Sequence, residues 1–251
     1  MKKFMTYLPL IGLFAFTSCK DKVEPDPVEE DPTMLQVNVY PEYNGQTLYL
    51  DSTYTTDEGY DIQFTGLKFF AENVRNGSTQ LIDAGLFDYG SNGSLLLEAA
   101  GEPSTFGSLQ GNVGVQSSIN HNDPSAFPVT SVLNIMNAND MHWSWNPGYI
   151  FFKVEGKADT IPDGNELFDH TFVFHVGLDE NLQAFDFNNL NWQMVDSKRY
   201  KLSMMLDLHE FLSAAGNEID LKTEYTTHSA AGQEVLTAKA ALNFKNALTV
   251  N

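Results

Sequence analysis

Leu35-Gln36-Val37-Asn38-Val39-Tyr40 alternates apolar and polar side chains with a period of two. Successive side chains of a strand point to opposite faces, so this run reads as a strand with one buried face. The pattern recurs along the chain. Thr47-Leu48-Tyr49-Leu50 follows the turn signal Asn44-Gly45. Ile62 to Phe70, Gly85 to Tyr89, Ser94 to Glu98 and Ser108 to Gln116 follow, then Tyr149 to Glu155, His170 to Val176 and Tyr200 to Leu208. Asn44, Gly45, Gly77, Gly90, Gly93, Gly101 and Gly164 punctuate these runs. A helical pattern occurs only at Leu208–Ala215 and Ala230–Ala247. Many short strands between turn signals predict an all-β chain. The expected form is a single antiparallel β-sandwich domain over residues 34–251, with minor helical segments.

The N-terminal segment has another purpose. Lys2 and Lys3 precede the apolar run Leu8–Phe16, and Thr17-Ser18-Cys19 ends it. A charged start, a short apolar stretch and small residues before a cleavage point make residues 1–18 a lipoprotein signal peptide. The run is too short to span a bilayer as a finished helix. Cys19, the single cysteine of the sequence, then becomes the acylated N-terminus. Phe16 stands where a small aliphatic residue is usual. Residues 19–33 alternate proline and acid and form an extended, self-repelling tether. The expected location is the bacterial cell envelope, lipid-anchored to the outer membrane and facing the periplasm or the surface.

The formal charge of the full sequence is −19. Removing Lys2 and Lys3 with the leader makes the mature chain still more acidic. A surface of this sign argues against nucleic acid and anionic headgroups as partners and is compatible with cations. With its cysteine spent on the anchor, the domain folds without disulfides. A metal site in it would use histidine, methionine, carboxylate or backbone oxygen.

The densest concentration of chemistry-bearing residues is Asp140-Met141-His142-Trp143-Ser144-Trp145-Asn146-Pro147-Gly148-Tyr149, which runs on into Ile150-Phe151-Phe152-Lys153-Val154-Glu155-Gly156. A second histidine-bearing run, Phe172-Val173-Phe174-His175-Val176-Gly177, follows. On one strand, His170 shares a face with Phe172 and Phe174, and His175 faces the other way. These two therefore do not hold one metal together unless a bulge intervenes. By the same alternation Trp143 and Trp145 share a face and His142 points away. His121 lies in a polar loop and His209 follows Asp207-Leu208. Nucleophile–base spacings, HExxH, phosphate loops and calcium loops are absent from the sequence, so no enzyme activity is expected.

In the order of these segments the chain resembles the MbnP-like family of copper-associated proteins of the periplasm or cell surface. The matching pieces are Leu35–Tyr40, the run Leu67–Val74, the motif Met141–Gly156, the strand Phe174–Gly177 and the tail from His228 through Asn243-Phe244. The resemblance implies a β-sandwich that binds copper. It implies a ligand set drawn from His142, His175 and His228, and a tryptophan, Trp143 or Trp145, oxidised to kynurenine as a further ligand. It also implies a dihaem peroxidase-like partner. If Trp143 matches the oxidised tryptophan, position 145 holds tryptophan where those proteins place a ligand histidine. Met141 adds a thioether nearby in sequence. The other reading is a metal-free surface binding module of the same fold that recognises a glycan or a protein, with Trp192 among amides as its stacking platform.

Overall fold

A computed structural model describes residues 31–250 apart from 139, 145–147, 162, 166 and 169. Cys19, the expected signal peptide and Trp145 lie outside the described residues. The folded unit spans Pro32–Asn251.

The chain begins with β1 (Met34–Tyr43) and β2 (Gln46–Thr47). Asn44 and Gly45 between them have φ of 50° and 74°, the two left-handed positions that a tight hairpin needs. Next come β3 (Thr53–Thr55), the long β4 (Asp61–Asn76), β5 (Thr79–Asp88) and one turn of helix, α1 (Tyr89–Asn92). β6 (Leu95–Ala100) and β7 (Ser108–Val113) follow. An irregular segment then carries α2 (Ser117–Asn120) and α3 (Ile135–Ala138). It leads into β8 (His142–Ser144), β9 (Gly148–Asp159) and β10 (His170–Gly177). β11 (Gln183–Asn188), β12 (Gln193–Asp196), β13 (Arg199–Asp207) and α4 (Leu208–Ser213) come next. The described chain closes with β14 (Thr226–Thr227), α5 (Glu234–Ala247) and β15 (Leu248–Val250).

The all-β expectation holds, and the sheets are two, both curled. Their direction needs correcting, because each is mixed rather than antiparallel. In the first sheet the order is β12-β13-β1-β2, with β15 on β13 and β6 on β1. β1 and β13 run parallel, from Met34 opposite Arg199 to Glu42 opposite Asp207. In the second sheet the order is β11-β7-β4-β9-β10-β14, with β3 and β5 on β4 and β8 on β9. There β10 and β14 are parallel. The physical reason is that side-chain alternation fixes a strand's faces and leaves its direction open. Strands far apart in sequence are free of the hairpin constraint that enforces antiparallel pairing.

Both sheets feed one core. Leu35, Val37 and Val39 of β1 and Leu202 and Leu206 of β13 are buried, as are Phe69 of β4 and Phe152 of β9. α4 and α5 cap the second sheet on this side. Phe152 stacks on Phe244 at 4.2 Å between centroids, and Phe174 meets Phe211 edge-on at 5.4 Å. Phe172, Phe174 and Val176 are fully buried in alternation with less buried neighbours. That alternation turns His175 to the opposite face of β10. His170, on the phenylalanine face, bonds through Nε2 to Leu221 O at 3.1 Å. The predicted separation of His170 from His175 is therefore observed.

A paired-histidine candidate metal centre

Register assembles the site. β9 lies between β4 and β10, with Lys153 opposite both Lys68 and His175. Residues two apart on a strand share a face, so Glu155 follows Lys153 on the same side. Gly66 stands opposite Glu155. A Cβ at that position would lie 2.7 Å from Glu155 Oε2, so the missing side chain is the space the carboxylate occupies. From there Glu155 Oε1 reaches His175 Nε2 at 2.5 Å. The hydrogen bond to His175 is the main force holding the Glu155 carboxyl below its ordinary range, against burial.

His228 arrives from a different part of the chain. Thr227 pairs with Phe174 at the edge of the sheet. Ser229, at φ 53°, then locks the turn onto β10. Its Oγ accepts the Gly177 N–H at 3.0 Å and donates to His175 O at 3.3 Å. Gln233 Oε1 accepts the backbone N–H of His228 at 2.8 Å and of Ala230 at 3.2 Å. The result is a pair of imidazoles, His175 and His228, with centroids 4.9 Å apart and planes at 79°. Burial lowers the pKa of His228, and the His175 and Lys153 charges lower it further against the opposing pull of Glu155. A neutral imidazole is the form that binds a metal.

A charged relay flanks the pair. Lys153 is only 6% exposed, an unusual place for an ammonium. It is held by Asp140 Oδ2 at 2.6 Å. Lys68 joins Asp140 Oδ1 to Asp88, each at 3.0 Å. Burial would raise Asp140, but hydrogen bonds from Lys153 and Lys68 hold it below its usual range.

Trp143 is half-buried and packs on the core. Its ring closes over Gly177, where a Cβ would come within 2.6 Å of the indole. Trp143 therefore covers the residue whose N–H the loop behind His228 captures. His142, the preceding residue, belongs to a different contact set. Its ring meets Tyr149 edge-on at 4.7 Å, and its Nε2 is buried without a hydrogen-bond partner among the described residues. Burial lowers its pKa, against Asp123. The structure thus brings His175 and His228 together and leaves His142 with Tyr149. Trp145 lies outside the described residues. The remaining histidines are engaged elsewhere: His121 with Asp179 at 3.1 Å, and His209 with Asp57 at 3.0 Å. Trp192 is half-buried and donates Nε1–H to Phe106 O at 2.7 Å, so its indole serves packing.

Comparison with known proteins adds the family. The profile of the MbnP family matches residues 32–229. The chain belongs to the MbnP family. The match takes in Trp143, both members of the imidazole pair and Glu155. A solved structure, MbnP from Methylosinus trichosporium, is similar with a TM-score of 0.51 at 15% identity. The likeness covers 82% of this chain and 88% of that one, and at this identity it speaks for the fold. Among curated proteins there is no match. MbnP membership suggests a copper-associated role. The paired imidazoles are a donor set that copper accepts. Among the described residues no group of three His, Cys, Asp or Glu side chains converges on a metal-sized space. The two imidazoles are the donors that the described residues bring together here. Glu155 and Lys153 escaped the sequence reading. Their only signal was a lysine and a glutamate two apart in an otherwise apolar strand run.

Proposed function

We propose that this MbnP-family protein binds copper through His175 and His228 and handles it in the bacterial cell envelope, tethered by a lipid on Cys19. It is a binder rather than an enzyme. The observation that carries the reading is the convergence of two imidazoles, from β10 and from the turn after β14, to 4.9 Å. Bound copper would supply a one-electron redox couple at that position. The protein's part is orientation. Glu155 accepts the Nε2–H of His175, which fixes the ring and leaves Nδ1 as the atom with a free lone pair. Ser229 and Gln233 fix the backbone on both sides of His228. Trp143 or Trp145 would be the tryptophan oxidised to a further ligand, the packing of Trp143 on Gly177, two residues from His175, supporting Trp143, and a dihaem peroxidase-like partner would carry out that oxidation.

A Cu(I) competition titration against a colorimetric chelator tests this. One copper per chain is expected, lost in His175→Ala and in His228→Ala and kept in His142→Ala. Binding that survives both single substitutions would remove the ligand assignment.

A further inference from the structure

The face of the second sheet that carries the imidazole pair also carries a buried ammonium. Lys153 of β9 stands directly opposite His175 of β10. Opposed residues of an antiparallel pair have Cα atoms about 4.5–5.5 Å apart and project to the same side. Lys153 and His175 are therefore neighbours on one face. On its other flank Lys153 is opposite Lys68 of β4. The row across the sheet is Lys68, Lys153 and His175, with His228 against His175.

Burial decides how far each of these charges is felt. Lys153 is buried, whereas its counter-ion Asp140 has 46% of its side chain exposed. Water and salt screen an exposed charge far more than a buried one. The ion pair therefore does not cancel at the imidazoles, because the ammonium acts across protein and the carboxylate is largely screened. The reach of the ammonium shows at His228, whose pKa is lowered first by burial and then by the His175 and Lys153 charges.

The donors around the pair would otherwise suit the wrong ion. Imidazole with carboxylate is a donor combination of zinc. Glu155 sets a carboxylate on His175 itself. Alone, that negative charge would favour a divalent ion over a monovalent one, since the attraction scales with the charge of the ion. A positive charge on the same face acts by the same rule in the opposite sense. It repels a divalent ion twice as strongly as a monovalent one.

We infer that Lys153 is the specificity-determining residue of the imidazole pair, setting it to the monovalent Cu(I) against Zn(II) and Cu(II). Lys153 touches no metal and acts through its charge. Asp140 pins its Nζ at 2.6 Å, and Lys68 in turn holds Asp140 at 3.0 Å. This role rests on the reading of His175 and His228 as copper ligands, and adds which valence the site takes and what selects it.

The test is chelator competition on the full chain with Cu(I) and, separately, with Zn(II), for wild type, Lys153→Met and Lys153→Arg. Lys153→Met keeps the apolar stem and removes the charge, and Asp140 keeps its bond with Lys68. The ratio of Cu(I) to Zn(II) affinity is expected to fall about tenfold in Lys153→Met through tighter Zn(II) binding, the scale of one unit of charge acting across a partly buried site. Lys153→Arg should keep the wild-type ratio. A loss of packing alone would weaken both ions together and leave the ratio where it was. An unchanged ratio, an equal shift in Lys153→Arg, or no Zn(II) binding to Lys153→Met would each overturn the role of Lys153 while copper binding stands. A wild-type chain that binds no Cu(I) would instead strike the copper reading, and the role of Lys153 with it. Should Lys153→Met not fold, Lys68→Met removes the next charge in the row. The ratio should then move the same way by less, and an unmoved ratio there would overturn the role equally.

Discussion

The residues that decide the candidate site act through the space they leave as much as through their own chemistry. Gly66 leaves room for the Glu155 carboxylate, and Gly177 for the Trp143 ring. Gly177→Ala would press a methyl group onto the indole and onto Tyr149 O, both at 2.6 Å. The expected cost is about 1–3 kcal/mol, the scale of overpacking, read by urea denaturation with a shifted Trp fluorescence maximum. Glu155→Gln is expected to leave the fold intact and to weaken Cu(I) binding by about 10–100-fold, as for other carboxylates that orient a ligating histidine. A competition titration reads this directly, and an affinity equal to wild type would show that Glu155 does not position His175. His175, His228 and Trp143 were legible as residue types in the sequence. Glu155 was not, because 33 acidic residues hide one, and only the register between β4, β9 and β10 singles it out.

At the scale of elements, β9, β10, α4 and α5 form the frame. Their inner faces are joined by the Phe152–Phe244 stack and the Phe174–Phe211 contact, and their outer face carries Lys153, Glu155 and His175. Phe244→Ala would open a cavity beneath the strands that present the site. Its expected cost is about 3–5 kcal/mol, measured by chemical denaturation, and a loss under 1 kcal/mol would mean that α5 is not holding these strands. Strand positions were largely legible, since the alternation from Ile62 to Phe70 lies within β4 and that from Tyr200 to Leu208 overlaps β13. β4 nevertheless runs on to Asn76, through a bulge region where Asn73 takes φ 54°. The parallel pairing of β1 with β13 was not legible, because periodicity carries no information about direction. Nor was the pairing of His175 with His228, which depends on the parallel contact between Phe174 and Thr227.

Across the whole molecule, acidity sets the response to pH. Asp140, Glu155 and Asp179 all lie below their ordinary range in the folded state. For Asp179, burial pushes upward and hydrogen bonds with Ser117, Asn120 and His121 outweigh it. A carboxyl with a lowered folded pKa binds its proton more readily in the unfolded chain, so it stabilises the fold above the unfolded value and loses that stabilisation as pH falls through the folded one. Glu72 is raised and acts in the opposite sense. The melting temperature is therefore expected to fall progressively as pH drops below about 4, the ordinary carboxylate value. A flat profile from pH 5 to pH 2.5 would show that these contacts do not persist in solution. The −19 charge was legible from composition alone.

The two-imidazole centre is tested most directly by copper K-edge X-ray absorption on the Cu(I)-loaded chain. The nearest scatterers are predicted to be nitrogens carrying the multiple-scattering signature of imidazole, with one imidazole lost in His228→Ala and the signature abolished in the His175→Ala, His228→Ala double variant. A sulfur scatterer, or a wild-type spectrum in the double variant, would contradict copper binding by this pair.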